Sequence, residues 1–293
     1  MARLENFARA AGMRGLGDGT AKVVNGFYGA LGGFGRFLQD FLNGTWLGHT
    51  LHSVLVDVPM GAFSALVVLD LLALFLNVRG LATASTIVLG VGLLGAIGAI
   101  FAGLTDHKDT LQDDRPLVTL HGLIQMVATT LFAISFFMRL GAADSGVARS
   151  VAIVGYLVIS VGAFIGGHVV YKLGYMINRN AHTRGGRAKD FTAVLPAAQL
   201  PEDTPTKAAL GTVSLVLVRH GDVVYALKES CSHVGGPLSK GKLEGDAIVC
   251  PWHYSTFRLR DGAVIHGPAH TRQPVYEARI AGDQVEVQGP REA

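Results

Sequence analysis

Four long apolar runs constrain this chain more than anything else in it. They extend from about Leu51 to Leu76, Leu81 to Leu104, Pro116 to Leu140 and Ser150 to Tyr171. Each is long enough to cross a hydrocarbon core of ~30 Å as a helix. Almost no polar face is left on any of them, which argues against a buried bundle in a water-soluble protein. The connectors are short, so successive helices are antiparallel neighbours and a four-helix membrane bundle is expected. Pro59 should bend the first helix. Gly90, Gly92, Gly95 and Gly98 on the second, and Gly162, Gly166 and Gly167 on the fourth, permit close helix approach.

Composition shows where this region ends. The chain is 49% hydrophobic and only 16% charged, few charges for a soluble protein. That average hides a division between a largely apolar stretch over 51–177 and an ordinary soluble domain over 178–293. The expected organisation is a basic amphipathic arm over 1–43, a transmembrane domain over 44–177, a basic linker over 178–190 and a second domain over 191–293. In the arm, Val24, Phe27, Leu31, Phe34, Leu38 and Phe41 recur at helical spacing among Arg14, Lys22 and Arg36. That pattern suits a helix lying in the membrane interface, or one packed on its own protein with Gly26, Gly29, Gly32, Gly33 and Gly35 weakening it. No compact apolar core with a cleavage site begins the chain, so no cleavable signal peptide is expected. The net charge of +3 is small and does not suggest nucleic acid.

Basic residues set the expected orientation. Arg3, Arg9, Arg14, Lys22 and Arg36 precede the first span, and Lys172, Arg179, Arg184, Arg187 and Lys189 follow the fourth. The opposite side carries only Arg79, Arg139 and Arg149. Both termini are therefore expected in the cytoplasm, with the protein in the cytoplasmic (inner) membrane. The linker is basic enough to rest on anionic lipid.

Ionisable residues inside the spans are functional candidates by default. His52 starts the first span, with His49 just before it and Asp57 one to two turns on. His121 lies about one turn into the third, and His168 about one turn from the end of the fourth. Asp106 and His107 close the second on the same side. Three histidines from three helices at one depth suggest a redox-cofactor site, with a b-type haem the favoured occupant. In that reading Asp57 would orient a ligand, and His49 or His107 would complete a second pair. A quinone pocket, a non-haem metal held by three histidines, and a set of interfacial helix caps use the same residues. Asp70, near the other face, is expected to pair with Arg139 or Arg149.

The second domain carries Cys231-Ser-His233 and Cys250-Pro-Trp-His253, the pattern C-x-H-x16-C-x2-H. Two thiolates and two imidazoles in that order suit a 2Fe-2S cluster, with Cys231 and Cys250 on one iron and His233 and His253 on the other. Zinc also accepts two Cys and two His. These are the only two cysteines, so the cluster leaves none for a disulfide. Strands are expected over Thr212–Arg219 and Val223–Leu227 around His-Gly-Asp, and over Tyr276–Ile280 and Gln284–Val287 around Ala-Gly-Asp. Shorter ones are expected at Ala247–Val249, Thr256–Leu259 and Ala263–Ile265. This is a small antiparallel sandwich with the Cys/His loops at one tip.

Both halves resemble known families. Cys231-Ser-His-Val-Gly-Gly-Pro-Leu238, Cys250-Pro-Trp-His-Tyr-Ser-Thr-Phe257 and Gly267-Pro268-Ala269 resemble the two cluster loops and the proline loop of Rieske proteins, over about Asp190 to Val287. The resemblance implies an all-β fold and the 2Fe-2S cluster in place of zinc. Ser255 matches a position where the family can place a hydroxyl near a cluster sulfur. Gly236 and Trp252 stand where the high-potential respiratory subgroup has a disulfide, so the ferredoxin subgroup is the nearer likeness. That places the potential towards the low end of a range of about −150 to +300 mV. His52-Ser-Val-Leu-Val-Asp-Val-Pro-Met-Gly61, Asp70-Leu-Leu and Gly166-Gly-His-Val-Val-Tyr-Lys-Leu-Gly174 resemble a bacterial four-helix membrane family of unassigned function. Its members occur fused to Rieske domains, and the likeness covers roughly 45–180.

The function expected is that of a membrane-anchored electron carrier. Its cluster exchanges single electrons at the cytoplasmic surface with a soluble or membrane redox partner, or with a haem or quinone in the bundle. Exposed imidazoles can take up protons on reduction. A quinone-linked oxidoreductase and a redox-sensing dock for a soluble partner are the alternatives. No Rossmann or flavin fingerprint is present. About forty residues follow His253, too few for the two-His, one-carboxylate iron domain of a ring-hydroxylating oxygenase.

Overall fold

The computed structural model describes residues 2–76, 78, 80–181 and 188–290, with side chains from residue 5 onward. The expected Arg79, Arg184 and Arg187, and the side chain of Arg3, lie outside what is described. The chain forms two compact units. One comprises 1–42 and 50–174, and the other 43–49 and 175–293.

The first unit is all helix. The arm forms α1 (Ala2–Ala10), α2 (Met13–Ala30) and α3 (Gly32–Asn43). Gly12 and Gly32 break it into pieces because both take positive φ, +72° and +55°, which side chains disfavour. The apolar runs become α4 (Leu51–Phe75), α5 (Leu81–His107), α6 (Arg115–Gly141) and α7 (Gly146–Tyr171), each long and apolar enough to cross a membrane. Pro59 is accommodated inside α4. Helix α4 packs on α5 and α7, and α6 on α7 and α5, so α4 and α6 face each other across the bundle.

One face of the arm packs on its own bundle. The Tyr28 and Thr105 hydroxyls lie 2.6 Å apart, Arg115 reaches Asp18 at 2.6 Å and Arg14 reaches Asp113 at 3.2 Å. The other face leaves Val23, Phe27, Phe34, Phe37 and Phe41 exposed. The arm thus has the protein-facing side and the apolar outer side that the two sequence readings assigned to alternatives.

The core centres on Phe63 and Phe132, fully buried and stacked with ring centroids 3.7 Å apart. Nearer the α4 C-terminus, Arg139 forms two hydrogen bonds to Asp70, at 2.9 and 2.5 Å, and both side chains are 1% exposed. Ser135 Oγ accepts from Arg139 Nε and donates to the Ala148 carbonyl, so α4, α6 and α7 share one polar network. Of the two partners expected for Asp70, Arg139 is the one found. Arg149 pairs with Asp144.

The second unit is all β. Strands β1 (Ala188–Pro196), β2 (Thr206–Leu210), β3 (Val213–His220), β4 (Val223–Lys228), β9 (Val275–Ala281) and β10 (Gln284–Gly289) form an antiparallel sheet in the order β1-β10-β9-β4-β3-β2. Strands β5 (Lys242–Glu244), β6 (Ala247–Val249), β7 (Thr256–Arg258) and β8 (Val264–His266) form a second. The expected hairpins are present: His220 pairs with Val223, and Ala281 with Gln284.

Strand β3 explains how the Cys/His loops are supported. Leu215 and Leu217 enter one buried cluster with Val285 and Val287. Val216 and Val218 alternate to the other face and enter a second with Ile248, Phe257, Leu238, Cys231 and Cys250. A strand apolar at every position serves two cores because successive side chains point to opposite faces.

Candidate functional site

Three loops build the site. The first runs from β4 to β5 and carries Cys231 and His233. Cys231 N–H donates to the Gly236 carbonyl, and Gly235 N–H donates back to the Cys231 carbonyl, both at 2.9 Å. The second joins β6 to β7 and carries Cys250 and His253. Cys250 N–H donates to Ser255 O at 2.8 Å and Tyr254 N–H to Cys250 O at 3.1 Å. The third, after β8, contains Gly267, Pro268 and Ala269.

The loops meet through their functional atoms. The Cys231 and Cys250 thiols are buried in the same apolar cluster. The His233 and His253 rings lie edge to face with centroids 5.1 Å apart, and both are half-buried. Thus the structure brings together all four residues that the spacing singled out.

Bare thiols here cannot both ionise easily. Contact with Cys231 draws the Cys250 thiol down to about 7, helped by the N–H groups of Trp252 and His253. The same contact, with burial, pushes Cys231 up. Two thiolates side by side in an apolar cluster require a cationic centre between them. A lone zinc ion is a poor fit. Its bonds of about 2.0–2.3 Å would draw all four donors close together. Among the described residues, the only three donor atoms mutually within 4.8 Å belong to Glu202, Asp203 and His220 on the exposed surface. The four Cys and His donors are spread more widely, as two irons require.

Ser255 is fully buried and accepts from Ala269 N–H at 3.0 Å, and its hydroxyl favours the Cys231 thiolate. Gly236 lies where no side chain fits: an added Cβ would stand 2.8 Å from Cys250 Sγ and 3.2 Å from the Trp252 ring. The two positions compared with a disulfide are therefore in contact, with the indole over the glycine.

Domain matching gives the same division of the chain. Residues 190–277 match the Rieske [2Fe-2S] domain, and 48–179 match DUF2231, described as a predicted membrane protein. The anthranilate 1,2-dioxygenase ferredoxin subunit of Burkholderia cepacia is 34% identical over 89 residues, 30% of this chain and 82% of that one. The chain belongs to the Rieske family, fused to a DUF2231 membrane domain. Ferredoxin CarAc of Metapseudomonas resinovorans is 33% identical over 82 residues, 28% of this chain and 77% of that one. The solved ferredoxin of carbazole 1,9a-dioxygenase from Nocardioides aromaticivorans IC177 aligns at 29% identity over 34% of this chain and 98% of that one, with a TM-score of 0.33.

The Rieske domain has supports that motif reading did not find. Gln273, 1% exposed, donates to the Lys228 and Ser230 carbonyls at 2.6 and 2.7 Å and accepts from Ser232 N–H at 3.0 Å. Asn180 donates to Ser230 O at 3.0 Å, and Arg179 N–H donates to Ser232 O at 3.1 Å. Residues 179 and 180, at the start of the basic linker, are hydrogen-bonded to the first cluster loop.

The membrane histidines divide. His52 Nδ1 lies 2.8 Å from the Ala99 carbonyl and His121 Nδ1 lies 2.8 Å from the Gly162 carbonyl. His168 is engaged by Glu5 at 3.1 Å, and Lys172 shares that carboxylate. Asp57, expected to orient His52, is exposed on α4, and the Ala99 carbonyl occupies the orienting position. His107 bonds Thr119 at 2.9 Å. His49 lies in the unit with the Rieske domain, beside His270, which burial and this neighbour keep less basic than usual.

A hydroxyl donating to a ligand sulfur stabilises the more negative, reduced state. If that bond is worth about 1–1.5 kcal/mol, Ser255→Ala should lower the one-electron midpoint by roughly 40–70 mV. A redox titration followed by spin resonance reads it. An unchanged midpoint would remove Ser255 from the tuning residues.

Proposed function

We propose that this protein is an electron carrier anchored in the inner membrane, with its Rieske domain in the cytoplasm. Cys231 and Cys250 hold one iron, and His233 and His253 the other. The cluster supplies one-electron redox chemistry. The protein's own groups fix the terms of the exchange. Backbone N–H groups of His233, Trp252 and His253 and the Ser255 hydroxyl favour negative charge on the two sulfurs. The half-buried imidazoles form the edge at which a redox partner meets the site, with Trp252 and Tyr254 exposed beside them. The relatives are named as ferredoxins or ferredoxin subunits of dioxygenases. By analogy, the partner here is a soluble or membrane redox protein that receives or delivers single electrons.

The observation that carries this reading is the joining, in one chain, of a complete Cys2His2 cluster loop set to four membrane-crossing helices. Orientation is supported by charge. The arginines described at the far end, Arg139 and Arg149, are each paired with an aspartate, leaving little positive charge there.

One experiment tests anchoring, cluster and side together. A membrane-impermeant reductant is added to inverted and to right-side-out vesicles, and the reduced cluster is read by spin resonance. The signal should develop in inverted vesicles alone and be missing from a Cys250→Ser strain. Reduction in right-side-out vesicles would overturn the orientation, and no cluster signal in either would overturn the carrier.

A further inference from the structure

The membrane domain repeats itself. His52, Phe63 and Asp70 on α4 are matched, at a constant separation of 69 residues, by His121, Phe132 and Arg139 on α6. Two of the three pairs meet directly. The phenylalanines stack and the aspartate and arginine form an ion pair, while the histidines take matching places on the two hairpins. The second helix of each hairpin repeats as well. Each imidazole directs Nδ1 at a carbonyl, Ala99 or Gly162, and lies over the glycine four residues on. A Cβ on Gly103 would come within 2.9 Å of the His52 ring, and one on Gly166 within 2.9 Å of His121. Gly92 and Gly155 stand in the same relation to Phe63 and Phe132. The bundle is therefore two related hairpins, α4–α5 and α6–α7, with three layers of matched side chains.

Two of those layers are complete. An aromatic ring satisfies an aromatic ring, and a carboxylate satisfies a guanidinium. The histidine layer is different. A carbonyl only accepts, so Nδ1 carries the proton in both neutral rings and Nε2 presents a lone pair in both. Two acceptors have nothing to offer each other, so an electrophile or a double donor must join them. Among the described residues, no third His, Cys, Asp or Glu donor stands within single-ion range of this pair. A bare metal ion would thus have only two such protein ligands. His168, the third histidine expected here, is held by Glu5. An iron that brings four equatorial ligands of its own needs two axial ones and no more. Both imidazoles keep accessible surface although they sit among packed helices. Gln125 Oε1, one turn beyond His121, is buried without a partner and adds an unsatisfied polar atom at this level.

We propose that His52 and His121 are the axial ligands of a haem-class cofactor held between the two hairpins. The carbonyls of Ala99 and Gly162 fix the tautomer and ring orientation of each ligand, as metal-bound histidines usually require. The presence of the cofactor is independent of the Rieske cluster. Its service as a second redox centre rests on the electron-carrier reading.

The test uses the full chain purified from haem-replete cells, with haem content and absorption spectrum measured. Stoichiometric haem with a six-coordinate, low-spin reduced spectrum is expected. His52→Gly and His121→Gly should each become high-spin or lose haem. Imidazole added in solution should restore the low-spin spectrum, a rescue that a merely misfolded variant would not show. His168→Ala should stay low-spin. Haem-free protein with an intact cluster signal would overturn the proposal, as would co-purified quinol in place of haem. A low-spin spectrum surviving both glycine variants, or lost in His168→Ala, would overturn the assignment. Haem present with no cluster would instead count against the carrier reading alone.

Discussion

Arg139→Met should destabilise the membrane domain by about 3–5 kcal/mol, and adding Asp70→Leu should recover most of that loss. The pair is 1% exposed on both sides and doubly hydrogen-bonded, so removing the guanidinium strands a carboxylate with no water to receive it. Ser135 also loses the bond from Arg139 Nε, although it keeps its own to Ala148 O. In the double variant no charge remains to be solvated, and two apolar side chains of similar reach fill the space. Denaturant titrations in detergent, followed by helical signal, would read both steps. A single variant within about 1 kcal/mol of the parent would mean that the pair is hydrated or that the helix ends there are already loose.

This pair also shows what was legible in the sequence and what was not. Hydropathy placed the four spans because lipid leaves a spanning segment few choices, and the ends of α4 and α7 fall within a few residues of the expected ones. The four Cys and His that the fold brings together were legible because metal chemistry fixes both residue type and spacing. The repeat was not found. At a separation of 69 residues it keeps His and Phe but turns Asp70 into Arg139, so it is complementary in charge and not similar. Laying 52–70 over 121–139 is the signal that would have revealed it. Strands β1 and β2 escaped as well. They are the two edges of the six-stranded sheet; β1 has no fully buried residue and β2 is only five residues long, so neither carries a strong apolar alternation. The engagement of His168 by Glu5 joins residues 163 apart. No local pattern announces such a contact.

Gln273→Leu should unfold the Rieske domain at a much lower temperature and take the cluster with it. Gln273 was not singled out in the sequence because a lone glutamine after a loop carries no motif. In the fold its amide closes the first cluster loop against β4. The substitution strands the Ser232 N–H and deprives the Lys228 carbonyl of the amide that reaches it. A buried polar group left without its partner costs about 1–3 kcal/mol. Two such losses amount to roughly 2–6 kcal/mol, and in a domain of this size each kcal/mol lowers Tm by about 4–8 °C. A fall of more than about 10 °C is therefore expected, with cluster absorbance bleaching in the same transition because Cys231 and His233 flank Ser232. Asn180→Ala provides the comparison. It also touches Ser230 O, but that carbonyl keeps Gln273 as a donor, so the loss should be smaller. Thermal melts of the three proteins, read by cluster absorbance and far-ultraviolet dichroism, decide the matter. If Gln273→Leu melts no lower than Asn180→Ala, the loop is held by the cluster itself and not by this amide.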